Sequence, residues 1–85
     1  MEEFVLTAHA SQMARERCIE MNWIRSVLAT PTVVLPDSRD KLLSHMIRRI
    51  PENDGRALRV VVDSTQFPQR VITLFFDRKA SRELP

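Results

Sequence analysis

Two stretches decide the fold: Arg56-Ala57-Leu58-Arg59-Val60-Val61-Val62-Asp63 and Gln69-Arg70-Val71-Ile72-Thr73-Leu74-Phe75-Phe76-Asp77. Both are rich in β-branched or aromatic residues and almost continuously apolar at their centres, as expected of strands covered on at least one face. A turn containing Pro68 separates them, so they pair as neighbours. Upstream, Pro51-Glu52-Asn53-Asp54-Gly55 carries the only glycine of the chain and closes a mixed polar and apolar segment over residues 41–50. Before that, Thr32-Val33-Val34-Leu35 is a short β-branched run stopped by Pro36-Asp37, a turn signal.

The first thirty residues have a different period. Thr7 has the hydroxyl needed to cap a helix over residues 8–17. At 100° per residue, Ala10, Met13, Ala14 and Cys18 share one apolar face. A second helix starts at Glu20 or Asn22 and runs to Ala29, with Met21, Ile24, Val27 and Leu28 at three-and-four spacing and Pro31 as its stop. Two opening helices followed by three or four consecutive strands predict an α+β fold, the helices packed on one face of an antiparallel sheet. The segment after Arg78 reads as a polar tail or a last helical turn.

The chain has 85 residues and a mass of 9.9 kDa, enough for a single domain spanning residues 1–85. With 44% apolar and 28% charged residues it is neither a disordered tail nor a low-complexity segment. No apolar run approaches the roughly twenty residues of a membrane span. The acidic Met1-Glu2-Glu3 start lacks the basic-then-apolar order of an export signal. A single cysteine, Cys18, excludes an intramolecular disulfide and a thiolate zinc site. Together these give a cytoplasmic protein as the expectation, with no membrane partner.

Charge is modest in amount and uneven in kind. Eleven of the thirteen cations are arginine, whose planar fork matches phosphate and carboxylate groups. Residues 1–30 carry a net charge of −1 and residues 31–85 a net charge of +3. A solvated arginine-rich surface accounts for this, and so does a polyanion-binding face on the second half. Arg48, Arg59 and Arg70 lie on predicted strands and are the candidate nucleic-acid contacts. Arg48 and Arg49 are adjacent in a strand and so point to opposite faces. Trp23 is the only tryptophan, tyrosine is absent, and Phe4, Phe67, Phe75 and Phe76 are assigned to the core, which leaves little for stacking on bases and argues against sequence-specific RNA reading.

Arg17 and His9 are the conspicuous residues of the first helix. Arg17 falls near the centre of the apolar stripe, where an unpaired charge is costly. It must pair with an acid such as Asp63 or Asp77, snorkel to the rim, or line a cleft. His9 has the right intrinsic basicity for proton transfer, but a histidine at a helix start is also a common capping or packing residue. His45 is a weaker candidate. Two histidines without a cysteine cluster predict no metal site, and no cofactor motif is present. No serine sits in a glycine-flanked elbow, and one glycine cannot build a phosphate loop. No helix presents the exposed basic and polar positions of a DNA-reading helix.

Leu6-Thr7-Ala8-His9-Ala10, followed by Glu16-Arg17-Cys18-Ile19, resembles the opening of a family of small bacterial domains known as domain-of-unknown-function family 4258. Pro31 and the strands around Leu58–Val62 and Val71–Phe75 match its later pattern, so the resemblance covers nearly the whole chain. Met13 stands where the family often has arginine, Cys18 where it has glycine, and Phe75 where an aromatic hydroxyl is common. The family is similar, more distantly, to the RelE and BrnT-type toxins, and the closing Arg78-Lys79-Ala80-Ser81-Arg82-Glu83 resembles the BrnT tail. That resemblance implies a metal-independent endoribonuclease or RNA-binding domain, with RNA and an antitoxin-like protein as partners. It makes His9, Arg17 and Arg78 the catalytic candidates, the histidine shuttling a proton while arginines stabilise charge as the ribose 2′-hydroxyl attacks the adjacent phosphate. The alternative is a non-catalytic interaction module, dimeric in one version, in which Arg17 is a structural ion pair.

Overall fold

A computed structural model describes residues 4–85; Met1, Glu2 and Glu3, which argued against an export signal, lie outside them. The order of elements is β1 (Phe4–Leu6), α1 (Ala8–Glu16), α2 (Met21–Ala29), β2 (Val33–Pro36), β3 (Leu43–Ile50), a 3-10 turn (Pro51–Asn53), β4 (Arg56–Asp63), β5 (Gln69–Phe76) and α3 (Arg78–Glu83). The fold is α+β, but the sheet has five strands in the order β1-β5-β4-β3-β2. Four of them form an antiparallel meander, and β1 runs parallel to β5. The expected all-antiparallel sheet of three or four strands, opened by two helices, is thereby corrected. A three-residue strand is too short to declare a period, and the partner of Phe4 is Gln69, far along the chain. Phe4 is nonetheless buried in the core, which anchors the strand.

Helices α1 and α2 pack on one face of the sheet. Ala10, Ala14, Ile19, Ile24 and Val27 meet Ile50, Leu58, Val60, Val71 and Leu74, all of them buried. On the opposite face the closing segment is a regular helix, α3. Its Ala80 seats on Ile47 and Ala57, with Val33 and Leu84 packed around them. Asp77 caps α3 by accepting from the Ala80 N–H at 3.0 Å. The near-continuous apolar reading of β4 follows from this arrangement, since both its faces are covered. Phe67, expected in the core, is 76% exposed, because it lies in the β4–β5 turn beyond the sheet.

Helix α1 ends one residue earlier than its sequence period implies. Cys18 takes the left-handed conformation with φ of 55°. Its N–H reaches the Arg15 carbonyl, and the Ile19 N–H reaches the Ala14 carbonyl. This is a Schellman stop, closed by the contact of buried Ile19 with Ala14 in the core.

Candidate functional site

The end of β5 and the start of β4 are neighbours because the two strands are antiparallel, with Leu58 opposite Phe76. At that end of the sheet the chain turns at Asp77 into α3, and two hydrogen bonds pin the helix to β4. The Asp77 N–H donates to the Ala57 carbonyl at 2.9 Å. The Ser81 hydroxyl accepts from the Ala57 N–H and donates to the Asp77 carbonyl, both at 2.8 Å. This brings Arg56 beside α3, on which Arg78 and Arg82 are spaced four apart and so share a side. Arg56, Phe76, Arg78, Ser81 and Arg82 line a cleft of about 360 Å³. Its three arginines are exposed, and among the described residues no acid lines it and none of the three makes an ion pair. Three unpaired guanidinium groups around one concavity repel one another and attract an anion with several oxygens.

A second polar cluster crosses the other face of the sheet. Arg59 donates from Nε to Asp77 Oδ2 at 2.8 Å and from a terminal nitrogen to His45 Nδ1 at 3.0 Å. A guanidinium has no acceptor, so Nδ1 is the unprotonated nitrogen, and the proton on Nε2 is donated to Asp37 Oδ1 at 2.7 Å. Asp37 Oδ2 in turn accepts from the Arg39 and Asp40 N–H groups. The His45 hydrogen bond, followed by those two backbone donors, lowers the Asp37 carboxyl to about 2. Asp77 is also held below the usual carboxylate range, first by the Ala80 N–H and then, against the opposing effect of burial, by Arg59. Both ring nitrogens of His45 are engaged, which leaves no lone pair for a substrate. The row ties the β2–β3 turn to α3.

The remaining candidates are dispersed. His9 is exposed on the first turn of α1, with Nε2 3.2 Å from Thr73 Oγ1. Arg17 is exposed at the other end of the helix, about 12 Å further along the axis at 1.5 Å per residue. Its expected acids are engaged elsewhere: Asp63 accepts from the Thr65 N–H and hydroxyl, and Asp77 accepts from Arg59. Neither His9 nor Arg17 lines the arginine cleft. Arg48 lies on the helix-facing side of β3 and donates to the Thr30 carbonyl and hydroxyl at the end of α2, both at 2.8 Å. Arg49, on the opposite face, holds the carbonyls of Gly55, Leu84 and Pro85. Arg70 is exposed and sits opposite Asp63, at the far end of β4 from Arg56, roughly 23 Å away at strand rise. Arg48, Arg59 and Arg70 therefore form no common patch, whereas Arg78 joins Arg56 and Arg82.

Arg56 and Arg82 escaped the sequence reading. The four-residue spacing of Arg78 and Arg82 was available in the closing segment, but its value depends on that segment being a helix. Among the described residues no group of three or more His, Cys, Asp or Glu is placed to hold a metal, and no helix is long and apolar enough to cross a membrane.

Comparison with known proteins adds a family and no activity. No curated protein and no solved structure matches the chain. The family described as Domain of unknown function (DUF4258) matches residues 6–76, which takes in everything from the end of β1 to the end of β5. The chain belongs to this family of uncharacterised domains.

Proposed function

We propose that this domain binds RNA through its phosphates at the arginine cleft. The observation that carries the reading is the convergence of Arg56, Arg78 and Arg82 on one concavity that no acid among the described residues lines. Arginine rather than lysine supplies nearly all the positive charge, which suits bidentate phosphate contact. The resemblance of the closing segment to the tail of BrnT-type toxins favours RNA over other polyanions, and Arg78, Ser81 and Arg82 belong both to that segment and to the cleft. If cleavage accompanies binding, these arginines would stabilise the charge that develops when the 2′-hydroxyl attacks. His9 lies outside the cleft, so the reading is one of binding.

Titration of fluorescently labelled RNA by anisotropy over a range of salt tests this. Three phosphate contacts on a single strand give a slope of log affinity against log salt of about −2. Replacing Arg56, Arg78 and Arg82 together by alanine should abolish both the affinity and the slope. Salt-independent binding, or binding unchanged in the triple variant, overturns the reading.

A second reading, an interaction module that dimerises, is favoured by the β2 edge of the sheet. Val34 and Leu35, on a strand paired on one side only, are 54% and 42% exposed, and Leu42 in the turn before β3 is 55% exposed. Sedimentation of the wild type and of Leu35→Lys distinguishes it: a concentration-dependent dimer lost in the variant supports it, and a wild-type monomer rejects it.

A further inference from the structure

We infer that the arginine cleft takes an unpaired nucleotide, with its phosphate on the arginines and its base against the Phe76 ring, so that the domain selects single strands over duplex. The inference rests on the reading of the cleft as a phosphate site and adds the kind of strand it accepts. Among the described residues Phe76 is the one aromatic side chain lining the cleft. It is half-buried, packed against the core below while facing the concavity above. Trp23 of α2 meets it edge to face, with ring centroids 6.1 Å apart and planes at 70°. That contact, together with the position of Phe76 at the end of β5, holds the ring in place before any ligand arrives, so stacking costs little ordering.

Size and chemistry point the same way. A cleft of about 360 Å³ lies near the lower end of small-molecule sites and admits one nucleotide-sized unit. In a duplex each base face is already covered by its neighbours, and only the backbone is offered. An unstacked base in a single strand has a free face for an aromatic ring. Among the described residues no carboxamide side chain lines the cleft. Selection is for an open base face.

The test compares three probes on the intact protein: an oligouridine, an RNA duplex of the same length, and inorganic polyphosphate. Trp23 is the sole tryptophan, so its emission reports on the Phe76 ring beside it. The wild type is expected to bind the oligouridine about tenfold more tightly than the duplex, with a change in Trp23 emission that polyphosphate does not produce. Phe76→Leu keeps an apolar side chain of similar volume but removes the π face. It should lose the preference for single strands while retaining polyphosphate affinity, which also shows that the variant is folded. Equal binding of oligouridine and duplex, both lost in Arg82→Ala, would overturn the single-strand inference and leave the phosphate reading standing. Absence of binding to all three probes would overturn both.

Discussion

Arg59 and His45 sit in contact through a hydrogen bond that only the arginine can donate, its terminal nitrogen 3.0 Å from His45 Nδ1. This one relationship fixes the tautomer of His45 within the row that runs from Asp37 through His45 and Arg59 to Asp77. It uses the capacity of the second histidine for structure. Arg59, read from the sequence as a nucleic-acid contact, is one-fifth exposed and holds two partners at once.

Replacing Arg59 by alanine should destabilise the domain by about 1–3 kcal/mol in urea denaturation, because two partly buried acceptors lose a charged donor. Lysine should recover only a part of this. An ammonium is a point donor and cannot span Asp77 and His45 as the guanidinium fork does. Full recovery in Arg59→Lys would show that charge alone matters at this position.

Acid should unfold the domain in a definite window. The folded Asp37 titrates at about 2, against an ordinary 3.8, and Asp63 and Asp77 are also lowered. In this range the unfolded chain binds more protons than the folded one, so stability rises with pH. The contribution is whole above pH 3.8 and is lost as pH falls towards about 2. Urea midpoints measured across that interval should fall steeply for the wild type and more gently for Asp37→Asn, which is less stable than the wild type at neutral pH.

Cys18→Gly should stabilise the domain by about 1 kcal/mol, since a glycine adopts the left-handed stop of α1 without the clash a β-carbon brings. For a domain of this length that corresponds to a rise of about 4–8 °C in melting temperature. The cysteine is exposed, so no core packing is lost.

Arg17→Ala should change stability by less than about 0.5 kcal/mol, as expected of an exposed residue with no ion pair among the described residues. Its near neighbour makes the contrast: Ile19→Ala should cost about 2–5 kcal/mol, because Ile19 closes the helix stop from inside the core. On the cleft reading, Arg17→Ala and His9→Ala should also leave RNA affinity as it is, while Arg82→Ala weakens it. A loss of several kcal/mol in Arg17→Ala would restore the buried-pair account of that arginine.

The elements with long, regular patterns were legible in the amino-acid order. The strands at residues 56–63 and 69–76, the helix at 21–29 and the opposed faces of Arg48 and Arg49 all follow from local period and composition. Strand β1 was not, because three residues carry no period and its pairing is with the far end of the chain. Arg17 was misplaced on the wheel for a related reason. The wheel assumes that the helix continues, and the left-handed Cys18 ends it one residue earlier.

The site divided along the same line. Arginine enrichment in the second half was visible in the amino-acid order. Which arginines stand together was decided only in three dimensions. Ser81 and Asp77 dock α3 against Ala57, and that docking carries Arg78 and Arg82 to Arg56 across more than twenty residues of intervening chain. Local propensity acts over a turn or a strand and is written in neighbouring residues. The meeting of distant cations depends on strand register and on where a helix lands, and neither quantity resides in any short stretch of the chain.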